Sequence, residues 1–279
     1  MLPFFFTIYI KRGVVLKKIK VVMGGSGALY PIYLGCLCRL QDEGYEIASV
    51  GGSSGGAIAA TLWASPTLEN TKNNLKQFLA KTLPKNNKKV IKYSILHFLR
   101  HWGLINGEPL EKLFSHLFFD TMKEAVIPLE VYVANVERNR QILFSSETTP
   151  EANLPKVLRA SCSIPLIFDP VEIEGNKYVD GGWSTPLPVL EEEECCIGIR
   201  IKKSRESTFT TGLIEYIQNV LYNKIEIHDQ DKPSQTNIVE LVSDHDRTNL
   251  NKTSEIEANN IFEEGYEQMG EYLKNKKTS

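Results

Sequence analysis

The stretch SVGGSSGGAIAA, residues 49–60, holds two overlapping G-x-S-x-G patterns. Read from Gly51 to Gly55 the central residue is Ser53; read from Gly52 to Gly56 it is Ser54. A serine hydroxyl is a weak nucleophile. It needs a base to take its proton and backbone donors aimed at the oxyanion that its attack creates. A serine used in this way sits on a strained turn between a strand and a helix, with glycine two residues to either side because a Cβ there would clash. Both serines meet that rule, so spacing leaves the choice between them open.

The first histidine after the pair is His97, so the base must come from far along the chain. One candidate is Asp180 in YVDGGWSTPLP, a lone acid between an apolar strand end and two glycines. Partial burial and a serine partner would make its carboxylate a useful proton acceptor. The other is a late histidine, His228 or His245, which would complete the Ser…Asp…His order of α/β-hydrolases. Both lie in charged sequence, EIHDQDK and SDHDRTN, that favours solvated loops. His97, His101 and His116 lie in helix-like stretches and read as surface or packing residues. For the oxyanion, GGSGALY (residues 24–30) offers a run of backbone amides at a strand end, and Gly25, Ser26 and Gly27 can form an anion nest there. The same turn is a poor nucleotide site. It has only G-x-G, Tyr30 stands where a third glycine is needed, and the chain has no G-x-x-x-x-G-K-[ST].

The elements that must carry these residues follow from periodicity. KIKVVMGG reads as a buried strand running into glycines, LYPIYLGCLCRLQDEG as a helix closed by Gly44, EIASVGG as a second strand and GGAIAATLWA as a second helix. A strand–helix–strand–helix start predicts a parallel sheet with helices on its faces. Residues 67–105 read as basic helices outside the sheet, and GEPLEKLFSHLF continues in helical period. LEVYVANV and RQILFSS have the alternation and turn of a hairpin. ANLPKVLRASCSI is a short helix stopped by Pro165. After an acidic turn at residues 191–194 come strand CCIGIRI, helix GLIEYIQNVLY, strand NIVELV and an amphipathic helix over about Glu255–Leu273. Without repeats or a low-complexity linker, residues 18–279 read as one α/β domain preceded by an extension at 1–17. That extension has three readings: a chance upstream start, an extra edge strand or an interfacial anchor. Its apolar run, Leu2 to Ile10, is too short to span a bilayer.

With 279 residues, 42% hydrophobic and 24% charged, the chain has the composition of a globular protein, and a net charge of −2 argues against a nucleic-acid binder. Its five cysteines sit inside apolar runs, which fits a reducing cytosol. Cys36-x-Cys38 lacks a second pair at ligand spacing, and no motif calls for a metal or another cofactor. Charge is unevenly spread. From Thr71 to Gly107 there is no Asp or Glu, whereas Lys72, Lys76, Lys81, Lys85, Lys88, Lys89, Lys92 and Arg100 are all cationic. VIKYSILHFLRHWGLI interleaves aromatics with those cations, a composition suited to an anionic membrane surface or to a solvated helix packed on the core.

The glycine-rich GGSGA, the elbow GGSSGGAIAATLWA and the segment LRASCSIPLIFDPVEIEGNKYVDGG, taken with their separation, resemble the patatin-like phospholipase family. The likeness runs from about Lys18 to Ile201. It implies a three-layer α/β/α fold with a mainly parallel central sheet, a Ser-Asp dyad without histidine, and hydrolysis of lipid acyl esters. The family's elbow falls on Gly52 to Gly56, which makes Ser54 the nucleophile and Asp180 its base, with the oxyanion held near Gly25, Ser26 and Gly27. Its first motif runs G-G-G-x-[KR]-G, and here Leu29 and Tyr30 replace the cation and the last glycine. Two other expectations stand beside this one: a Ser-His-Asp esterase using His228 or His245, and a catalytically silent lipid-surface module.

Overall fold

The protein is described by a computed structural model covering residues 9–11, 14–66, 95–185, 187–188, 196–203, 237–245 and 255–278. Strand β1 (Tyr9–Lys11) pairs antiparallel with the start of β2 (Val14–Met23). Helix α1 (Tyr30–Asp42) follows, with Pro31 in its first turn, where the missing N–H costs nothing. It ends at the expected glycine, Gly44, whose φ of 84° lets the chain reverse. Strand β3 (Tyr45–Ser53) and helix α2 (Gly55–Trp63) complete the opening unit.

Helix α3 (Ile95–His101) lies in the basic span, and so does a difference from the sequence reading: Gly103–Ile105 is a strand, β4, and not a helix. Helix α4 (Glu108–Leu117) precedes the expected hairpin of β5 (Leu129–Asn135) and β6 (Arg140–Ser145). Helix α5 (Leu154–Ser161), capped by the Asn153 side chain, leads to β7 (Leu166–Phe168), β8 (Val171–Ile173) and β9 (Asn176–Asp180). Then come β10 (Cys196–Lys203), β11 (Ile238–Ser243) and the long helix α6 (Glu255–Thr278). The helix expected at GLIEYIQNVLY and the acidic turn at 191–194 lie outside the described residues.

Nine of these strands form one sheet in the order β11-β10-β2-β3-β5-β9-β8, with β1 on β2 and β6 on β5. The pairs β11–β10, β10–β2, β2–β3 and β3–β5 are parallel, so the centre of the sheet is parallel as expected. Strands β4 and β7 make a separate parallel pair. Alternation along the strands sorts side chains to two faces. Val21, Met23, Val131, Val133 and Ile197 join the large core built with α1, α2, α5 and α6, whereas Val22, Tyr132 and Cys196 join a second cluster. Among the described residues no helix is long and apolar enough to cross a membrane.

Helix α1 is buried along nearly its whole length because it lies between the sheet and α6. The two helices meet backbone to backbone. A Cβ on Gly265 would stand 1.9 Å from the carbonyl oxygen of Ile32, and one on Gly35 would stand 2.0 Å from that of Phe262. Gly265→Ala should therefore force the helices apart and destabilise the protein by about 1–3 kcal/mol, despite alanine's better helix propensity. Gly270→Ala, whose Cβ meets only the end of the Arg39 side chain, should be neutral or stabilising. Thermal unfolding of the two variants checks this, and equal melting temperatures would contradict the close crossing.

Candidate active site

Strand β5 brings the two halves of the site together. Its outer edge pairs with β6 from Glu130 to Asn135. Its inner edge pairs with β3 only as far as Ser53↔Tyr132, and from the next residue onward with β9, beginning at Val133↔Asp180. Strands β3 and β9 thus meet end to end along one edge, and the last residue of β9 adjoins the turn that follows β3.

That turn places its serines differently. Ser53 ends β3, fully buried, and its hydroxyl has no hydrogen-bond partner among the described residues. Ser54 is the elbow residue, with φ 53° and ψ −124°, a left-handed conformation that a non-glycine residue adopts only under constraint. Its side chain faces the Asp180 carboxylate and favours the ionised form. The flanking glycines are required by close backbone approach: a Cβ on Gly52 would lie 2.4 Å from the Gly56 carbonyl carbon, and one on Gly56 would lie 2.3 Å from the Met23 carbonyl oxygen.

The elbow is held by Ser161, at the end of α5. Its Oγ accepts from the Ser54 amide at 2.9 Å and donates to the Tyr132 carbonyl at 2.8 Å. Asp180 is held from the same helix end, since its amide donates to the Ser163 carbonyl at 2.9 Å. Ser163 in turn accepts from Arg159, a buried guanidinium that also donates to Asp169 Oδ1 at 2.7 Å and to the Asp169 carbonyl at 3.0 Å. Asp169 Oδ1 additionally accepts from the Gly107 amide at 2.9 Å. Breaking such a buried pair by removing one partner typically costs about 3–5 kcal/mol. Neither Ser161 nor this network was read from the sequence, although LRASCSIP contains both serines and the arginine. A helical serine carries no local sign that its hydroxyl reaches across to a turn more than 100 residues away.

The carboxylate of Asp180 is buried, and burial raises its pKa from 3.8 to about 7 against the opposing effects of the Ser54 side chain and the hydrogen bond from the Gly182 amide. Close by, the Cys162 thiol is pushed up by burial and by the Asp180 charge, so it stays a neutral thiol. On the other side, a Cβ on Gly25 would lie 3.6 Å from the Ser54 Cβ, so this glycine faces the elbow. The amides of Gly25, Ser26 and Gly27 have no hydrogen-bond partner among the described residues, whereas the Gly24 amide is taken by the Ile199 carbonyl. Leu29 and Tyr30 are core residues of the first helical turns.

His245 does not belong to this group. It follows β11, three strands from β3, which at about 4.8 Å per strand is at least roughly 14 Å away. Its Nδ1 faces Glu257 at 3.8 Å. His228 lies outside the described residues. His97, His101 and His116 lie on α3 and α4. No cluster of three potential metal ligands occurs among the described residues.

Comparison with known proteins gives the same frame. The family model of patatin-like phospholipases matches residues 21–192. The "Probable lipid hydrolase 463L" of Invertebrate iridescent virus 6 is 29% identical over 144 residues, covering 50% of this chain and 46% of the viral protein. "Lysophospholipase NTE1" of Cryptococcus neoformans is 26% identical over 180 residues, 63% of this chain but 10% of the much longer fungal protein. The chain therefore spans under half of either relative. In fold it is similar to VipD from Legionella pneumophila, with a TM-score of 0.56 and 15% identity, covering 92% of this chain and 67% of that one. With a match over more than half its length and a mainly parallel sheet to go with it, this chain belongs to the patatin-like phospholipase family.

Proposed function

We propose that the chain is a serine lipid acyl hydrolase of the phospholipase A or esterase type. It works through a Ser54–Asp180 dyad with the amides of Gly25, Ser26 and Gly27 as its oxyanion hole. The observation that carries this reading is a strained elbow serine set against a buried carboxylate whose pKa is raised to about 7. A base poised near neutrality takes a proton far better than an ordinary surface carboxylate. In the proposed reaction Ser54 Oγ attacks the ester carbonyl while Asp180 accepts its proton. The oxyanion is held by the unpartnered amides opposite, and the Asp180 proton goes to the departing alcohol. Water, deprotonated by Asp180, then attacks the acyl-serine; the fatty acid leaves and Asp180 returns the proton to Ser54 Oγ. No step calls on a histidine, metal or other cofactor. As partner we propose an anionic membrane, contacted through residues 71–107 on the strength of their uninterrupted positive charge, and as location a reducing cytosol at that surface.

On a soluble short-chain ester, Ser54→Ala should lose activity to background, while Ser53→Ala keeps a measurable fraction and His228→Gln and His245→Gln stay within a few-fold of wild type. Intact mass after a fluorophosphonate probe should show one label, lost in Ser54→Ala alone. Labelling that disappears with Ser53→Ala would move the nucleophile by one residue. A histidine variant that is folded but inactive would replace the dyad with a triad.

Asp180→Asn keeps the shape and removes the basic lone pair, so its rate should fall on the order of 10² to 10⁴-fold. In the wild type kcat/KM should rise with pH through about 7, as Asp180 loses its proton. Stability should move the opposite way. A carboxyl whose pKa is raised by folding binds its proton more tightly in the native than in the unfolded state, so stability is lost as pH rises from about 4 to about 7. Above that window Asp180→Asn should melt at a higher temperature than wild type. Below pH 4 the ionisation contributes no difference. A pH-independent difference in melting temperature would contradict the buried, proton-holding carboxylate.

A further inference from the structure

Ser54 and Asp180 are both buried, so an ester lodged in a bilayer must be drawn out of it to meet them. Among the described residues seven large hydrophobic side chains are exposed, and four of them gather in one place. Leu99 (69% exposed) lies in the last turn of α3 and Trp102 (60%) directly follows that helix. The next residue, Gly103, is in register with Leu166 (47%) on β7. Lys177 Nζ lies 4.6 Å from the centre of the Trp102 ring, and the Lys177 carbonyl accepts from the amide of Val136 (45%) at 2.9 Å. Strands β4 and β7, the start of β9 and the turn after β5 therefore present one apolar rim.

The position of this rim relates it to the dyad. Val136 follows β5 four residues beyond Tyr132, the partner of Ser53. At about 3.3 Å per residue it stands roughly 13 Å further out along the same end of the sheet at which the elbow opens. Charges of both signs accompany the rim. Lys177 caps the indole with Glu172 paired across from it, Arg100 is two residues before Trp102, Arg138 is exposed in the turn after Val136 and Arg140 is exposed at the start of β6. Glu137 is the acid closest in the turn, and one of its oxygens accepts from the Lys177 amide. An indole stacked under an ammonium and next to bulky aliphatics suits a lipid–water interface, with the ring among acyl chains and the ammonium among phosphates.

We infer that Leu99, Trp102, Val136 and Leu166, with Arg100 and Lys177, form the surface by which the protein docks on an anionic bilayer and presents the Ser54 elbow to it. This rests on the reading of the site as a lipid hydrolase and adds the face that meets the substrate's membrane.

The test uses full-length protein, vesicles of phosphatidylcholine with or without phosphatidylglycerol, and brominated acyl chains as quenchers. In a Trp183→Phe background, because Trp183 is partly exposed beside Asp180, Trp emission should shift to the blue and be quenched on the anionic vesicles, and Trp102→Phe should lose most of that change, since Trp63 is buried. The double variant Leu99→Ser/Trp102→Ser should bind anionic vesicles on the order of a hundredfold more weakly, consistent with withdrawing two large apolar side chains from water-free contact. Arg100→Glu/Lys177→Glu should bind more weakly and with less salt dependence. Unaltered melting temperatures establish that the variants are folded.

The proposal is overturned if these folded variants bind as wild type does, or if quenching survives Trp102→Phe. It is also overturned if wild type binds neutral and anionic vesicles alike. A blue shift that grows with protein concentration in the absence of lipid would put a second copy on the rim and overturn it as well. Hydrolysis of a soluble ester by the wild type is scored separately. Its absence together with Trp102-dependent docking would leave the surface standing and remove the enzymatic reading. Its presence without docking would do the reverse.

Discussion

A strand has two edges, and β5 uses one of them for two partners in succession. Strand β3 pairs along its first half, running parallel, and β9 takes over at the next residue, running antiparallel. Because a parallel and an antiparallel strand approach the junction from opposite directions, the end of each arrives at the same point. One end leads into the elbow with Ser54, and the other is Asp180. Register enforces this meeting. Side chains alternate along a strand, so a slip of β9 by one residue would turn Asp180 to the opposite face and present Val179 or Gly181 instead. Helix α5 guards the register from the side, tying Ser54 through Ser161 and Asp180 through the Ser163 carbonyl.

The same arrangement sets the electrostatics. A carboxylate held at the end of β9 behind Gly181 and Gly182 is taken out of water, and only the Ser54 side chain and the Gly182 amide offset the loss. Folding therefore holds a group that would be more comfortable protonated or exposed. Ser26 and Ser53 add two buried hydroxyls without partners among the described residues. Buried polar groups of this kind are normally satisfied, and their concentration around one turn marks a region shaped by demands other than stability. The buried Arg159–Asp169–Ser163 network is the counterweight that ties together the segments before and after β7.

Much of this was legible in the sequence, for reasons that differ from residue to residue. The central strands and helices show because their apolar periods are local, and Gly44 marks the end of α1 because only a glycine takes its φ readily. Asp180 stood out as a lone acid beside two glycines. The choice between Ser53 and Ser54 could not be made from spacing, since both fit the glycine rule. What separates them is the pairing of Ser53 with Tyr132, a non-local event that leaves Ser54 as the first residue free to turn. Ser161 was illegible for the same reason. Residues Gly103–Ile105 were read as helix because HWGLI continues the apolar spacing of α3, and only their pairing with Leu166 and Phe168 makes them a strand.

The shared edge of β5 has a consequence for how much this architecture can vary. The distance between Ser54 and Asp180 is set by two strand registers, and the length of chain between them does not enter. Segments inserted between α2 and β5, or between β6 and α5, lengthen loops whose closure costs only about 0.6 kcal/mol for each doubling. Whole lids or extra domains can therefore be spliced into those connections while the two ends still meet at Val133. A pair of residues brought together this way can be carried in chains of very different size, and the fungal relative aligns with this chain over only 10% of its own length.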